Sequence, residues 1–198
     1  MYRFILALSC FLMMLAAPIS AQDFDRGVAA YNNGDYATAL KEWKPLADAG
    51  SISAQSNLGL MYANGRGVPQ DYKEAAKWYT LAAEQGHTKA QTKLGEMYVD
   101  GNGVPQVYKL AQSYFELAAR QGSALAQFNL GEMYQTGICV LADNVLAHMW
   151  FNLFGANGDS NGAKKREKIA KDMTPEDISK AQAMARVYMN SNYKKCGY

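Results

Sequence analysis

The 198-residue chain is short of the residues that carry most enzyme chemistry: it has two histidines and three cysteines. His87 and His148 are far apart and neither stands among Cys, Asp or Glu at ligand spacing, so no metal site is expected. No nucleophile elbow and no Cys–His or Ser–His–Asp set can be argued from the order of residues, so no catalytic residue is assigned. No Gly-Lys-Ser/Thr follows the glycine-rich stretches, and no cofactor is implied. The formal charge is only +2 at pH 7, which gives no general reason to expect nucleic acid or acidic substrates as partners. Proline is scarce, with five residues, while Ala and Tyr are abundant, a balance suited to packed helices. The length fits one domain with a real core.

Long hydrophobic runs are also missing, apart from one at the N-terminus. Arg3 precedes an apolar run from Phe4 to Ala17, followed by Pro18, Ile19, Ser20 and Ala21. A basic start, an apolar centre and a small residue before the cut describe a secretory signal, residues 1–21, cleaved after Ala21. The run is shorter than the roughly 20 residues that span a bilayer. Cys10 is a poor lipoprotein site, because the apolar run continues past it and little precedes it. The expectation is a periplasmic or secreted protein with no stable membrane insertion after cleavage. Two cysteines then remain, Cys139 and Cys196. In an oxidising compartment they form a possible disulfide, with two unrelated thiols as the open alternative.

What the chain has in place of motifs is a period. Ala54, Leu58, Gly59 and Tyr62 return as Ala90, Leu94, Gly95 and Tyr98, then as Ala126, Leu130, Gly131 and Tyr134, a step of 36. Gly86, Gly122 and Gly158 keep the same step. A strict period of this length signals stacked units, none of which buries its apolar face alone. Each unit reads as two antiparallel helices. Ala54, Leu58 and Tyr62 share one helix face, and the recurrence of Gly59 suggests an approach too close for a side chain. Gly65-Arg66-Gly67-Val68-Pro69 breaks the helix, Asp71 is an N-cap candidate for the next, and Gly86 closes it. The recurrence of the loop glycines at one repeat position marks them as turn residues, not a phosphate cradle. Upstream, residues 27–50 form a shortened unit in which Tyr31 is matched to Tyr62 and Asp35 to Asp71, making its loop five residues shorter.

The pattern A-x-x-x-L-G-x-x-Y-x-x-G-x-G-V-P-x-D-Y-x-x-A-x-x-W-Y-x-x-A-A-x-x-G, from Ala54 to Gly86, resembles the Sel-one-like repeat (SLR) family, α/α solenoids related to the tetratricopeptide repeats. The resemblance covers residues 27 to about 158. It implies an all-α, right-handed solenoid of about four helix pairs whose first helices line a concave groove. It also implies a role in binding proteins, since family members commonly act as adaptors and bacterial ones are often exported regulators.

After Gly158 the period is expected to stop, leaving residues 159–198 as a cap and tail. Ala163–Met173 reads as one helix, and Thr174-Pro175-Glu176-Asp177 starts another. Ile178, Ala181, Met184, Ala185 and Tyr188 give that second helix an apolar face. Lys164, Lys165, Arg166, Lys168 and Lys171 read as a solvated face of the cap. The invariance of Met61, Met97 and Met133 argues for core, although methionine also suits adaptable binding surfaces. Binding candidates are therefore sought where the copies disagree: Ser56, Asn57 and Leu60, then Thr92, Lys93 and Glu96, then Phe128, Asn129 and Glu132. Phe128 is the most suggestive, as an aromatic that could anchor a partner or pack against the cap. The leading expectation is an exported, non-catalytic scaffold that binds a protein or peptide in the groove. A cell-wall or β-lactam hydrolase and a structural spacer in an envelope complex are the alternatives.

Overall fold

The computed structural model describes residues 21–138, 141–158 and 160–191, and all regular structure in them is helical. Cys139 and Cys196, and with them the possible disulfide, lie outside these residues, as does most of the signal segment. The order is α1 (Ala21–Asn32), α2 (Tyr36–Asp48), α3 (Ile52–Asn64), α4 (Tyr72–Glu84), α5 (Thr88–Asp100), α6 (Tyr108–Ala119), α7 (Ala124–Thr136), α8 (Asn144–Ala156), α9 (Ser160–Ala170) and α10 (Pro175–Asn190). Consecutive helices pack pairwise from α1 to α9, so the molecule is an α/α solenoid. Leu58, Leu94 and Leu130 are fully buried. Each contributes about 1.5–3 kcal/mol of hydrophobic stabilisation.

The turns follow from local chemistry. Gly65, Gly101 and Gly137 end the first helix of each full unit in the left-handed conformation, with φ of 64°, 74° and 72°. Asp71 and Asp143 cap the second helices of their units by accepting backbone N–H bonds. Between units, Gly86 N–H reaches Ala83 O and His87 N–H reaches Ala82 O, a Schellman closure. His87 then caps α5, its Nδ1 accepting from Ala90 N–H at 3.2 Å. One residue thus closes one helix and opens the next, and Ser123 does the same between α6 and α7.

The glycine beside each core leucine makes room for a ring. A Cβ on Gly59 would lie 2.7 Å from the Tyr79 ring, one on Gly95 2.5 Å from Phe115, and one on Gly131 2.5 Å from Phe151. Gly27 stands in the same relation to Trp43. This contact corrects the register of the first unit. Gly27 is the counterpart of Gly59, so Ala30, not Tyr31, matches Tyr62. Asp35 N–H accordingly bonds Ala30 O, as Asp71 N–H bonds Tyr62 O. The loop is therefore four residues shorter, not five.

A buried amide links successive units. Gln55, Gln91 and Gln127 donate to Ala47 O, Ala83 O and Ala119 O in the preceding unit. Their oxygens accept from Gln85, Gln121 and Asn157 at the end of the second helix of their own unit. Burial forces these pairings, since an unpaired amide would lose its hydration without compensation.

The C-terminal region also departs from expectation. α9 starts at Ser160, 36 residues after the start of α7, so the helix spacing persists one step beyond Gly158. It runs Ser160–Ala170, three residues upstream of the expected Ala163–Met173 at both ends. Gly155 and Gly162, replacing the alanines of the preceding step, let α8 and α9 cross closely: a Cβ on Gly162 would lie 2.4 Å from Gly155 N. α9 and α10 both pack mainly on α8, not as a pair with each other. Thr174 and Pro175 open α10 as the sequence implies. Ala181, Ala185 and Tyr188 are buried, with Tyr188 edge-on to Trp150 at 5.3 Å. Covered in this way, α8 is apolar nearly all round.

Candidate interaction groove

The first helices of successive units meet along one face and leave two depressions. One, of ≈ 180 Å³, lies between α3 and α5; the other, of ≈ 350 Å³, lies between α5 and α7. Each residue lining the smaller has its counterpart 36 positions on lining the larger. Tyr79 and Met97 in the first become Phe115 and Met133 in the second, keeping an aromatic and a methionine on the wall. The polar positions change: Leu60 becomes Glu96, Lys93 becomes Asn129, and Asn102 becomes Ile138. In the first depression Lys93 Nζ reaches Glu96 Oε2 at 2.7 Å. In the second, Glu96, Asp100 and Glu132 line the wall, with Glu96 held by Lys93 and Glu132 by Lys165 from outside the depression. The Tyr79 hydroxyl, beneath the first depression, has no hydrogen-bond partner among the described residues, and burial, aided by Glu96, raises its pKa above the ordinary tyrosine value.

The helix pairs, the ring-accommodating glycines and the repeated depressions all follow one 36-residue unit. The Sel1 repeat family model matches residues 52–87, 88–123 and 124–159 in succession. The chain belongs to the Sel1-repeat family. Among solved structures, it is similar to c5321, described as a protective antigen present in uropathogenic Escherichia coli strains displaying an SLR fold. The identity is 30% and the TM-score 0.74, over 89% of this chain and 38% of that one. It is also similar to a Sel1 repeat protein from Oxalobacter formigenes, with 29% identity and a TM-score of 0.67 over 72% of this chain and 57% of that one. The chain thus spans less than two thirds of either structure. No curated protein matches it.

Within this Sel1-repeat protein the candidates separate into four groups. Leu60, Lys93, Glu96, Asn129 and Glu132 line the depressions. Asn57 is half-buried and lines neither. Ser56 and Thr92 are each only 3% exposed and offer no surface to a partner. Thr92 Oγ1 lies 3.0 Å from Thr88 O and 3.1 Å from Ser123 Oγ, at the junction with the next unit. Phe128, at the equivalent position, packs against Phe151 and Phe154 of α8 and sits under Lys165 of α9. It lines a separate depression beyond the groove.

Asn64, Asp100 and Thr136 also line the depressions and were missed. They lie one helical turn beyond Leu60, Glu96 and Glu132, so the i+4 rule was the signal that could have found them. The basic run is only partly solvated: Lys165 pairs with Glu132 at 2.8 Å and Arg166 donates to Asn152 Oδ1 at 2.9 Å. His87 is a half-buried cap, and burial, with Lys89 nearby, lowers its pKa. His148 is 1% exposed.

One string qualifies the expectation that no nucleophile elbow is present. Gly158-Asp159-Ser160-Asn161-Gly162 has the letters Gly-x-Ser-x-Gly. An elbow holds its serine on a strand-to-helix turn, whereas here α8 ends at Ala156 and Ser160 opens α9. The string joins two helices. No group of three or more His, Cys, Asp or Glu suited to a metal occurs among the described residues, and no helix in them is long and apolar enough to cross a membrane.

Proposed function

We propose that this chain is an exported, non-catalytic Sel1-repeat scaffold that binds a protein or peptide segment along the groove of α3, α5 and α7, as an adaptor or regulator in a bacterial envelope. The observation that carries the reading is the pair of depressions at a 36-residue step, with structurally matched walls and polar positions that differ. Packing constrains the repeated aromatic and methionine. The varied polar positions are where selection for a particular partner would act. Sel1 repeats are typically protein-interaction scaffolds, which supports the same assignment. The N-terminal signal pattern supports export.

The test is capture of partners from the native envelope by the folded protein and by a Glu96→Ala, Asp100→Ala, Asn129→Ala variant. Loss of specific partners by the variant is the expected result. Undiminished capture by a variant with the parent's helical content would overturn the groove assignment.

A further inference from the structure

At the end of the groove, α7, α8 and α9 enclose a depression of ≈ 670 Å³ whose floor is apolar and whose rim is cationic. Leu125, Phe128 and Phe154 form the floor, the two rings 5.3 Å apart. Lys164, Lys165 and Lys168 of α9 form the rim. Lys165 is held by Glu132 and lies over the Phe128 ring. Lys164 and Lys168 are exposed and make no ion pair among the described residues.

The aromatic floor is local to the last junction. Thirty-six residues earlier the three floor positions are Lys89, Thr92 and Ala118, and the corresponding depression, which also has lysines and Leu125 in its wall, has no ring. The change to Leu, Phe and Phe leaves apolar surface facing water, with Leu125 45% exposed. Lys164 and Lys168, one turn apart on the same face, repel each other. An occupant that is both apolar and anionic relieves both penalties. The volume suits a few side chains. Glu132, which holds Lys165, also lines the depression between α5 and α7, so the pocket continues the groove. That continuity favours an extended peptide over an isolated amphiphile.

We propose that this pocket binds an acidic peptide segment carrying one bulky apolar side chain. The apolar side chain enters between Leu125, Phe128 and Phe154, and flanking carboxylates pair with Lys164 and Lys168. This deepens the groove reading and rests on it, but the pocket and the adjoining depression share no lining residue, so separate variants distinguish the two.

The probe is a fluorescein-labelled peptide, Asp-Glu-Phe-Glu-Asp, titrated by anisotropy against the purified, processed chain. Controls are the same peptide with Ala for Phe and one with Lys for every acidic residue. The expected result is saturable binding of the first, at least tenfold tighter than either control and weakened by salt. Lys164→Glu with Lys168→Glu should abolish it. Leu125→Ser, which removes the apolar contact without adding charge, should weaken it at least tenfold; its exposed site leaves the core undisturbed. Phe128→Ser tests the floor directly, with helical content checked by circular dichroism. The proposal falls if the alanine peptide binds equally well, if the lysine substitutions change nothing, or if phosphatidylglycerol vesicles bind and the peptide does not. Peptide failure alongside partner loss in the groove variant would reject the pocket and keep the groove. The reverse pattern would keep the pocket and reject the groove.

Discussion

The Cβ that Gly95 lacks would stand 2.5 Å from Cε1 of Phe115, inside the ring's van der Waals surface. Gly95→Ala therefore overpacks a buried contact. The alanine gains about 1 kcal/mol of helix propensity, while overpacking costs about 1–3 kcal/mol. Net destabilisation of up to about 2 kcal/mol is expected in denaturant unfolding. Phe115→Leu should recover part of it in the double variant.

Gly86 is needed for a different reason. Its φ is +88° and nothing lies within 4 Å of the Cβ position. Gly86→Ala should cost about 1–2 kcal/mol through left-handed backbone strain alone. No partner substitution should rescue it, which the same unfolding measurement checks.

The buried amide ladder predicts an asymmetry. Gln91 donates to Ala83 O at 3.1 Å and accepts from Gln121 at 2.7 Å. Gln91→Ala removes two inter-helix hydrogen bonds at once, although Ala83 O keeps its bond from Gly86 N–H, and a loss of about 1–3 kcal/mol is expected. Gln121 is exposed, so Gln121→Ala should cost clearly less, because water replaces it. Equal losses in chemical denaturation would contradict this account.

His148 predicts a pH dependence. Burial, with Arg166 nearby, lowers its pKa in the folded protein. The unfolded chain takes up the proton near the ordinary histidine value of about 6.5, while the folded chain resists it. Stability is therefore fully present above that value and falls as the pH drops below it towards the lowered pKa. His87 acts in the same direction. His148→Gln, which places the residue type found at the equivalent Gln112, should reduce the drop in Tm between pH 7.5 and pH 5.

Export predicts a definite end group. Mass spectrometry of the chain produced in a bacterial host should show Gln22 as the first residue. An envelope fraction retaining Met1 would count against cleavage.

Much of the fold was legible because its causes are local or recur. Asp71, Asp143 and Thr174 cap helices through bonds spanning a few residues, and the 36-residue step records the same internal contacts made again. The site was less legible. Ser56 and Thr92 vary between copies and look like surface, yet both are buried, Thr92 against Ser123 of the next unit. Tyr31 looks like Tyr62 in sequence, but the contact of Gly27 with Trp43 sets the register and assigns the position to Ala30.

By itself, the sequence determined where the helices of the three full units turn, how long such a unit is, and which residues those units share. These depend on short-range hydrogen bonding and on an apolar stripe that each unit presents. Tertiary structure alone decided which varied positions remain open, and that α9 continues the spacing while α10 seals α8. It also brought Leu125, Phe128 and Phe154 under the lysines of α9. Exposure depends on what distant segments cover, and no spacing within a single helix records that.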